Sequence, residues 1–357
     1  MSITASGKWY HEDLVRTKPL ASASQQAAPL SALTLLCGAQ GHGEMHSFAF
    51  GDVVYSGTTP WQHVEVMETE AFGHVLMLDG VLNSAEHDEY IYHESLVQPA
   101  MCAHPNPKTV FIGGGGEGAT LREVLRHPSV EKAVMVDIDG DLVTVFRDEL
   151  PQYPDGAFDD PRTELVFDDC KKYLEDYDGR FDVIVLDLAD PVEAGPAFPI
   201  WTKEYYTTCS EKLNAGGLLV TQAGPLSANQ VTEVCTPVAT TLRAVFPSVL
   251  TYGAHIPSFG HAWAYNLACK EPSDDLAQRT PAEVDASIRG QLGEEAAAAL
   301  GWYDGLTHRA MFSLPKPLRA ALAAEKRVVT MDTPLAFVAG EGVRELGAPQ
   351  AEARPKL

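Results

Sequence analysis

The chain has 357 residues, of which 45% are hydrophobic, and a formal net charge of −23 at pH 7. That length suits one medium-sized domain plus a smaller one, with a sizeable buried core. Such a negative charge argues against nucleic acid and anionic membrane surfaces as partners and suits a polycationic small molecule, although an acidic surface also serves solubility.

The sequence shows no segment that predicts membrane insertion or secretion. No apolar run approaches the roughly 18 residues of a membrane span, and the first residues lack the basic and apolar regions of a secretory signal. The six cysteines have no CxxC pair and no metal-ligand spacing. We therefore expect reduced, mostly buried thiols, no metal site and a cytoplasmic enzyme.

The N-terminal part divides into an extension and a small β domain. Residues 1–44 contain a run rich in Ala, Ser and Gln that is typical of a linker. Residues 45–104 begin with short alternating runs separated by turn residues, which predict a few antiparallel hairpins. A helical pattern follows at 90–101, with Ser84 marking a candidate helix start. We assign this helix to the small domain.

The predicted helix carries an unusual set of polar side chains. Acidic, aromatic and imidazole side chains crowd the nine residues 86–94, among them Glu86, Asp88, Glu89, Tyr90, Tyr92, His93 and Glu94. An acidic face exposed to water would explain the acids alone. Tyrosine and histidine interleaved with acids also suit a wall that binds amines.

The most informative stretch runs from Thr109 to Asp139. A short apolar run typical of a buried parallel strand leads into glycines at 113–116 and 118, a helical pattern and a second strand that ends at Asp137. This order is typical of nucleotide-binding α/β units, in which the final acid accepts ribose hydroxyls. Glu117 inside the turn would repel a pyrophosphate and attract a cation. The pattern therefore favours a positively charged nucleoside, such as S-adenosylmethionine or a relative, over NAD.

Alternating helices and buried strands continue over residues 105–340 and predict an α/β fold with a doubly wound parallel sheet. Later strands are predicted at 165–167, 181–186 and 218–221, with antiparallel edge strands at 249–255 and 262–269. Helices and then a tail, 341–357, complete the chain. Ligands of such sheets bind beyond the carboxyl ends of the strands. Four acids fall at this edge, namely Glu117, Asp137, Asp169 and Asp187.

Asp187 and Asp190 lie three residues apart after a predicted strand. Two carboxylates near a bound sulfonium can bind ammonium groups, and one can take a proton from an attacking amine. Asp190-Pro191 by itself is equally consistent with the start of a turn. The acidic nucleoside site beside it favours the functional interpretation.

Three segments together resemble the polyamine aminopropyltransferases, the spermidine synthase family. They are DGVLNSAEHDEYIYHE at 79–94, GGGGEGATLRE at 113–123 and DLADPVEAGP at 187–196, and the last is most similar to the thermospermine synthase branch. The resemblance implies an N-terminal β domain, a methyltransferase-like Rossmann domain and a homodimer or homotetramer. It also implies transfer of the aminopropyl group of decarboxylated S-adenosylmethionine, as a co-substrate and without a tightly bound cofactor, to an amine.

The resemblance assigns site residues as well. Asp187 would be the base, Glu117 would hold the aminopropyl ammonium, and Asp137 would bind the ribose. The amine side would consist of Tyr92, His93, Asp190 and Phe259. The nucleoside side would consist of Gln62, Asn83, Gly114, Glu117, Asp137, Asp169, Cys170 and Pro196. No metal ligand is among them.

Departures from the family pattern concern the acceptor. Phe259 stands where spermidine synthases tend to have tyrosine, and Leu188-Ala189 replaces two small polar residues. Both changes favour a less polar channel and spermidine, so thermospermine is the expected product. Spermidine and spermine synthase are the close alternatives. A methyltransferase is disfavoured because Glu117 would repel the methionine carboxylate, and a non-enzymatic polyamine-binding regulator on the same fold is the third class.

Overall fold

The computed structural model of the protein describes residues 8–11, 33–38, 45–189, 198–273, 276–333, 335–338 and 342–345, with side chains from 49 to 333 within those ranges. A first sheet has six strands in chain order. They are β1 Lys8–His11, β2 Leu33–Gly38, β3 Met45–Thr58, β4 His63–Thr69, β5 Gly73–Leu78 and β6 Val81–Ala85.

The antiparallel pairing of β3 to β6 confirms the predicted hairpins. Two expectations were wrong. Strand β2 lies inside the predicted linker and pairs antiparallel with the start of β3. Ser84, the candidate helix start, lies in β6 opposite Leu76. A strand was missed there because the short run after the Asp79-Gly80 turn is too brief to show alternation.

A second sheet has seven strands in the order β12-β13-β11-β10-β7-β8-β9. Their bounds are β7 Thr109–Gly114, β8 Lys132–Asp137, β9 Thr163–Phe167, β10 Phe181–Asp187, β11 Leu213–Pro225, β12 Ser248–Ile256 and β13 His261–Cys269. The first five pair in parallel, whereas β12 and β13 add antiparallel strands at one edge. The predicted α/β sheet and its antiparallel edge are thus confirmed.

Ten α-helices, three short 3₁₀ helices and a two-stranded sheet complete the described elements. The helices are α1 Glu89–Ala103, α2 Ala119–Leu125, α3 Gly140–Glu149, α4 Cys170–Asp176, α5 Lys203–Glu211, α6 Cys235–Arg243, α7 Pro281–Leu292, α8 Glu294–Ala298, α9 Gly305–Met311 and α10 Lys316–Ala324. Strands β14 Leu335–Val338 and β15 Gly342–Glu345 form the small sheet, so a strand extends into the predicted tail.

Neighbouring residues on the central strands face opposite layers of the core. Val110 and Ile112 of β7 belong to one buried cluster, whereas Phe111 between them belongs to the other. The sheet is therefore covered on both faces, which explains why its strands read as continuous apolar runs in the sequence.

Helix α1 packs against α2 and against β11, β12 and β13, all of them elements of the second sheet or its helical layer. This contradicts its assignment to the small β domain at 45–104. The reason is its composition, since Leu96, Val97, Ala100 and Met101 are fully buried in the larger core. Sequence proximity to the hairpins did not indicate this packing.

Five cysteines are free and buried, as expected, namely Cys102, Cys170, Cys209, Cys235 and Cys269. Cys37 lies outside the residues whose side chains are described. Over the described ranges, none of the helices has the length and apolar character needed to cross a membrane. Within the same ranges, no group of three or more His, Cys, Asp or Glu side chains is arranged to hold a metal ion.

Candidate active site

The predicted acids meet at the carboxyl edge of β10, β7 and β8, which are adjacent in the second sheet. Asp187 at the end of β10 is in register with Gly114 of β7, and Gly113 is in register with Val136 of β8. The glycine turn after β7 is therefore flanked by Asp187 on one side and Asp137 on the other. This is the edge at which ligands bind in open α/β sheets.

The glycine turn is needed for a close backbone approach. Gly114 and Gly115 have φ angles of +81° and +79°, in the left-handed region that favours glycine. A Cβ on Gly114 would lie 2.1 Å from the carbonyl oxygen of Asp187. The same carbonyl accepts a hydrogen bond from the Gly115 N–H at 3.1 Å. Gly114, expected on the nucleoside side, thus also allows the turn to dock on the backbone of Asp187.

Both carboxylate oxygens of Asp187 accept hydrogen bonds from hydroxyl groups. Tyr92 donates to Oδ1 at 2.8 Å, and Thr120 donates to Oδ2 at 2.6 Å. Burial and the nearby Asp187 raise the pKa of Tyr92 well above its usual value, so its phenol stays a donor. Thr120 was not predicted. The sequence signal for Thr120 is its position directly after the glycines, at the start of a predicted helix.

Glu117 is part of a buried chain of alternating charges. His93 Nε2 lies 2.6 Å from Glu117 Oε1, His93 Nδ1 lies 2.7 Å from Glu89 Oε2, and the latter also accepts from Arg122 at 2.9 Å. Burial alone would lower the pKa of His93, but Glu117 and Glu89 hold it well above its usual value. At Glu117 burial raises the pKa of the carboxyl group, and the pairing with His93 works against that effect.

This chain changes the position expected for His93. The sequence assigned it to the wall of the amine cleft, but only 1% of its side chain is exposed, against 12% for Glu117. His93 therefore contacts Glu117 from its buried side and does not form part of an open wall. Ser84 also donates to Glu117 Oε1, at 3.3 Å.

Asp137 is buried at the end of β8. Its Oδ1 accepts the backbone N–H of Asp139 at 2.8 Å, and its Oδ2 lies 3.0 Å from the position of a Cβ on Gly116. Burial raises the pKa of this carboxyl group to about 6, with the neighbouring Asp139 and Asp187 adding to the effect. Asp137 thus lies beside the glycine turn, and the ribose role expected of it stays a prediction.

The other residues predicted for the nucleoside side differ in where the structure places them. Gln62 reaches the same region from the turn between β3 and β4 and donates to Asp139 at 2.8 Å. Asn83 donates to the carbonyl of Val81 in its own hairpin at 2.8 Å. Asp169 is exposed and caps α4 by accepting from Lys171 N at 2.8 Å, whereas Cys170 is buried. Asp190 and Pro196 lie outside the described residues.

Phe259, expected on the amine side, lies in the turn between β12 and β13. Its ring meets Tyr92 edge-on at 6.0 Å and Trp263 at 4.9 Å between centroids. The buried Asp88 accepts from the N–H of Ser258 at 2.7 Å and from its hydroxyl at 2.9 Å. The sequence indicates Asp88 only as one of several helix acids, whereas in the structure it fixes the turn that carries Phe259.

Comparison with known proteins shows the family of the chain. Residues 89–278 match the model of the spermine/spermidine synthase domain, and residues 39–86 match that of the spermidine synthase tetramerisation domain. A polyamine aminopropyltransferase of Aeropyrum pernix is 43% identical over 79% of this chain and 88% of its own length. Thermospermine synthase ACAULIS5 of Arabidopsis thaliana is 41% identical over 83% of this chain and 85% of its own length.

A solved structure extends the similarity to the fold. The crystal structure of spermidine synthase from Thermotoga maritima superimposes with a TM-score of 0.74 at 30% identity, covering 86% of this chain and all of that one. Its similarity and the sequence matches cover both the hairpin domain and the second sheet with its acidic edge. The chain therefore belongs to the spermine/spermidine synthase family.

Proposed function

We propose that the protein transfers the aminopropyl group of decarboxylated S-adenosylmethionine to spermidine, forming thermospermine and 5′-methylthioadenosine. Family membership supports the reaction class, aminopropyl transfer to a polyamine. The observation that carries the mechanism is the carboxylate of Asp187, fixed by Tyr92 and Thr120 beside the glycine turn.

The proposed roles follow from the positions of the acids. Asp137 accepts the ribose hydroxyls, because it lies at the end of the strand next to the glycine turn. Glu117 offers negative charge inside that turn for the aminopropyl ammonium. The nucleoside is thereby placed with its sulfonium toward Asp187, on the other side of the turn.

The transfer itself needs a base and alignment. The acceptor nitrogen attacks the methylene carbon beside the sulfonium, a C–N bond forms, and the C–S electron pair returns to sulfur to give a neutral thioether. An amine is nucleophilic only in its neutral form, so Asp187 takes up its proton. Holding amine and sulfonium in line supplies much of the remaining rate.

The acceptor assignment rests on the amine-side wall. Phe259 contributes a ring without a hydroxyl to this wall, and its edge-on contact with Tyr92 places that ring close to the base. Leu188 follows Asp187 directly, but it packs against a different buried cluster from Tyr92 and Phe259, so the apolar character of the wall depends on Phe259. At Phe259 this wall offers no hydroxyl to accept from the second ammonium of putrescine, and the resemblance of residues 187–196 to the thermospermine synthase branch supports the longer spermidine as acceptor.

Product analysis tests the proposal. Purified protein is incubated with decarboxylated S-adenosylmethionine and either putrescine or spermidine, with the Asp187→Asn protein as the control. Chromatography must resolve thermospermine from spermine. Thermospermine from spermidine, with little product from putrescine, is the expected result.

Other products would change the assignment in defined ways. Spermidine formed from putrescine would keep the mechanism and replace the acceptor, and spermine would place the other amine of spermidine at the sulfonium. Turnover with intact S-adenosylmethionine and none with its decarboxylated form would contradict the role given to Glu117.

We also propose that the protein assembles as a homotetramer through the hairpin domain, since residues 39–86 match a tetramerisation domain. Val53 and Val54 of β3 are 49% and 39% exposed and supply apolar surface in this domain. Light scattering coupled to size-exclusion chromatography should give four times the chain mass. A value of twice the chain mass would support a dimer instead.

A further inference from the structure

One contact ties the small domain to the nucleoside side of the second sheet. Thr59 and Gln62, in the turn between β3 and β4, both donate to Oδ2 of Asp139 at 2.8 Å. Asp139 lies in the loop between β8 and α3, 77 to 80 positions away in the chain. Thr59 is 7% exposed and Asp139 is 1% exposed, so their hydrogen bond is shielded from water, whereas Gln62 is half-buried.

The other groups of Asp139 are engaged on the opposite side. Its Oδ1 accepts from Leu142 N at 3.1 Å and caps α3, while its own N–H donates to Oδ1 of Asp137 at 2.8 Å. One residue thus joins the proposed ribose acid, the start of a helix and the turn that carries Gln62. Its carboxylate cannot rotate toward a new partner without losing one of these contacts.

The chemistry of the contact fixes the orientation of the Gln62 amide. A carboxylate oxygen has no hydrogen to donate, whereas an amide has a donor end and an acceptor end. The donor end of Gln62 must therefore face Asp139, which leaves Oε1 as the acceptor end.

We propose that Asp139 is a positioning residue that locks the Gln62 amide so that Oε1 meets the bound nucleoside as a hydrogen-bond acceptor. The matching ligand group is a donor, a ribose hydroxyl or an amino group of the base. The inference rests on the proposed function, because it takes the nucleoside as the ligand of this site.

The variant Asp139→Asn separates this role from helix capping. Asparagine caps helices about as well as aspartate, so its carbonyl can keep the bond to Leu142 while its NH₂ group faces Gln62. Two donors then oppose each other, and the Gln62 amide must turn or withdraw. The dissociation constant for 5′-methylthioadenosine and the KM for decarboxylated S-adenosylmethionine should each rise about 5- to 10-fold, the range expected for one hydrogen bond. At saturation kcat should change less than about 2-fold.

A compensating change makes the test specific. Gln62→Glu alone sets two carboxylates against each other and should weaken nucleoside binding at least as much. The double variant Asp139→Asn, Gln62→Glu reverses the direction of the bond and again leaves an acceptor oxygen for the ligand. It should recover nucleoside affinity to within about 3-fold of the unmodified protein. Asp304→Asn, at the cap of α9, is the matched control and should leave both constants unchanged.

The outcomes divide cleanly. Weakened binding in both single variants with recovery in the double variant supports the proposal. Unchanged binding in Asp139→Asn, or losses that simply add in the double variant, overturns it while leaving the proposed function intact. An unmodified protein that fails to bind 5′-methylthioadenosine and to turn over decarboxylated S-adenosylmethionine overturns the proposed function and, with it, this inference.

Discussion

The hydroxyl of Tyr92 donates to Oδ1 of Asp187 at 2.8 Å, although the two residues are 95 positions apart in the chain. The bond joins helix α1 to the end of β10 and fixes the plane of the carboxylate. Thr120 holds the second oxygen from α2. A base with both oxygens oriented in this way can receive a proton in only a narrow range of directions, so its supporting hydroxyls should matter for rate.

Replacing Asp187 by asparagine should remove the base and keep the shape of the site. We expect kcat to fall by about 10²- to 10⁴-fold, the usual contribution of general base catalysis. Affinity for 5′-methylthioadenosine, measured by calorimetry, should stay within about 3-fold, because the nucleoside contacts lie elsewhere. Asp148→Asn, on the exposed face of α3, serves as the control. Turnover equal to that of the unmodified protein would refute the assignment of Asp187.

Thr120→Val keeps the volume of a fully buried side chain and removes its hydroxyl. A hydrogen bond to a carboxylate is worth more than a neutral one, so we expect kcat to fall about 10-fold with little change in KM. Thr120→Ser retains the donor and should keep kcat within about 3-fold. Steady-state kinetics of the two variants show whether the hydroxyl of Thr120 is needed for turnover. Equal losses in both would mean that Thr120 only fills space.

Phe259→Tyr adds a hydroxyl to the amine-side wall. We expect kcat/KM for putrescine to rise about 10-fold relative to that for spermidine, because the new hydroxyl gives a polar partner to a short diamine. Competition between the two amines, with both products quantified, measures the ratio directly. Phe72→Tyr, in the turn between β4 and β5, is the control and should leave it unchanged. A constant ratio in the Phe259 variant would show that another residue sets acceptor length.

Asp137→Asn should raise the free energy of unfolding of the ligand-free protein, by an amount that depends on pH. Burial raises the pKa of Asp137 to about 6 in the folded protein, whereas an unfolded aspartate titrates near about 3.9. The protonated carboxyl therefore favours folding, and this contribution is lost as the pH rises through about 6. At pH 7.5 the variant should gain at most about 2–3 kcal/mol in free energy of unfolding.

The pH series contains its own control. Near pH 4 the variant and the unmodified protein should unfold at similar denaturant concentrations, because both carry a neutral side chain at this position. A stability difference that is the same at both pH values would contradict the assigned pKa shift. Binding of 5′-methylthioadenosine at pH 7.5 should weaken in the same variant, since the amide cannot accept from both ribose hydroxyls as a carboxylate does.

Sequence reasoning was most successful where the signal was local. The apolar run before the glycines, the acid at Asp137 and the acid at Asp187 each lie within one strand and its following turn. Strand periodicity and glycine spacing identified these units, and their parallel connection placed both acids at one edge of the sheet. Family motifs in the same stretches then indicated the reaction class.

The sequence by itself thus determined the strands and helices around the glycine turn and the acids at the strand ends, because neighbouring residues encode them. Tertiary structure alone decided the donors to Asp187, the burial of His93 behind Glu117, and the contact of Asp139 with Gln62. It also turned Glu94 away from the predicted amine wall, to accept the backbone N–H groups of Gly301, Trp302 and Tyr303. These contacts join segments that are far apart in the chain. They depend on the direction that each side chain takes after packing, and no local sequence pattern contains that information.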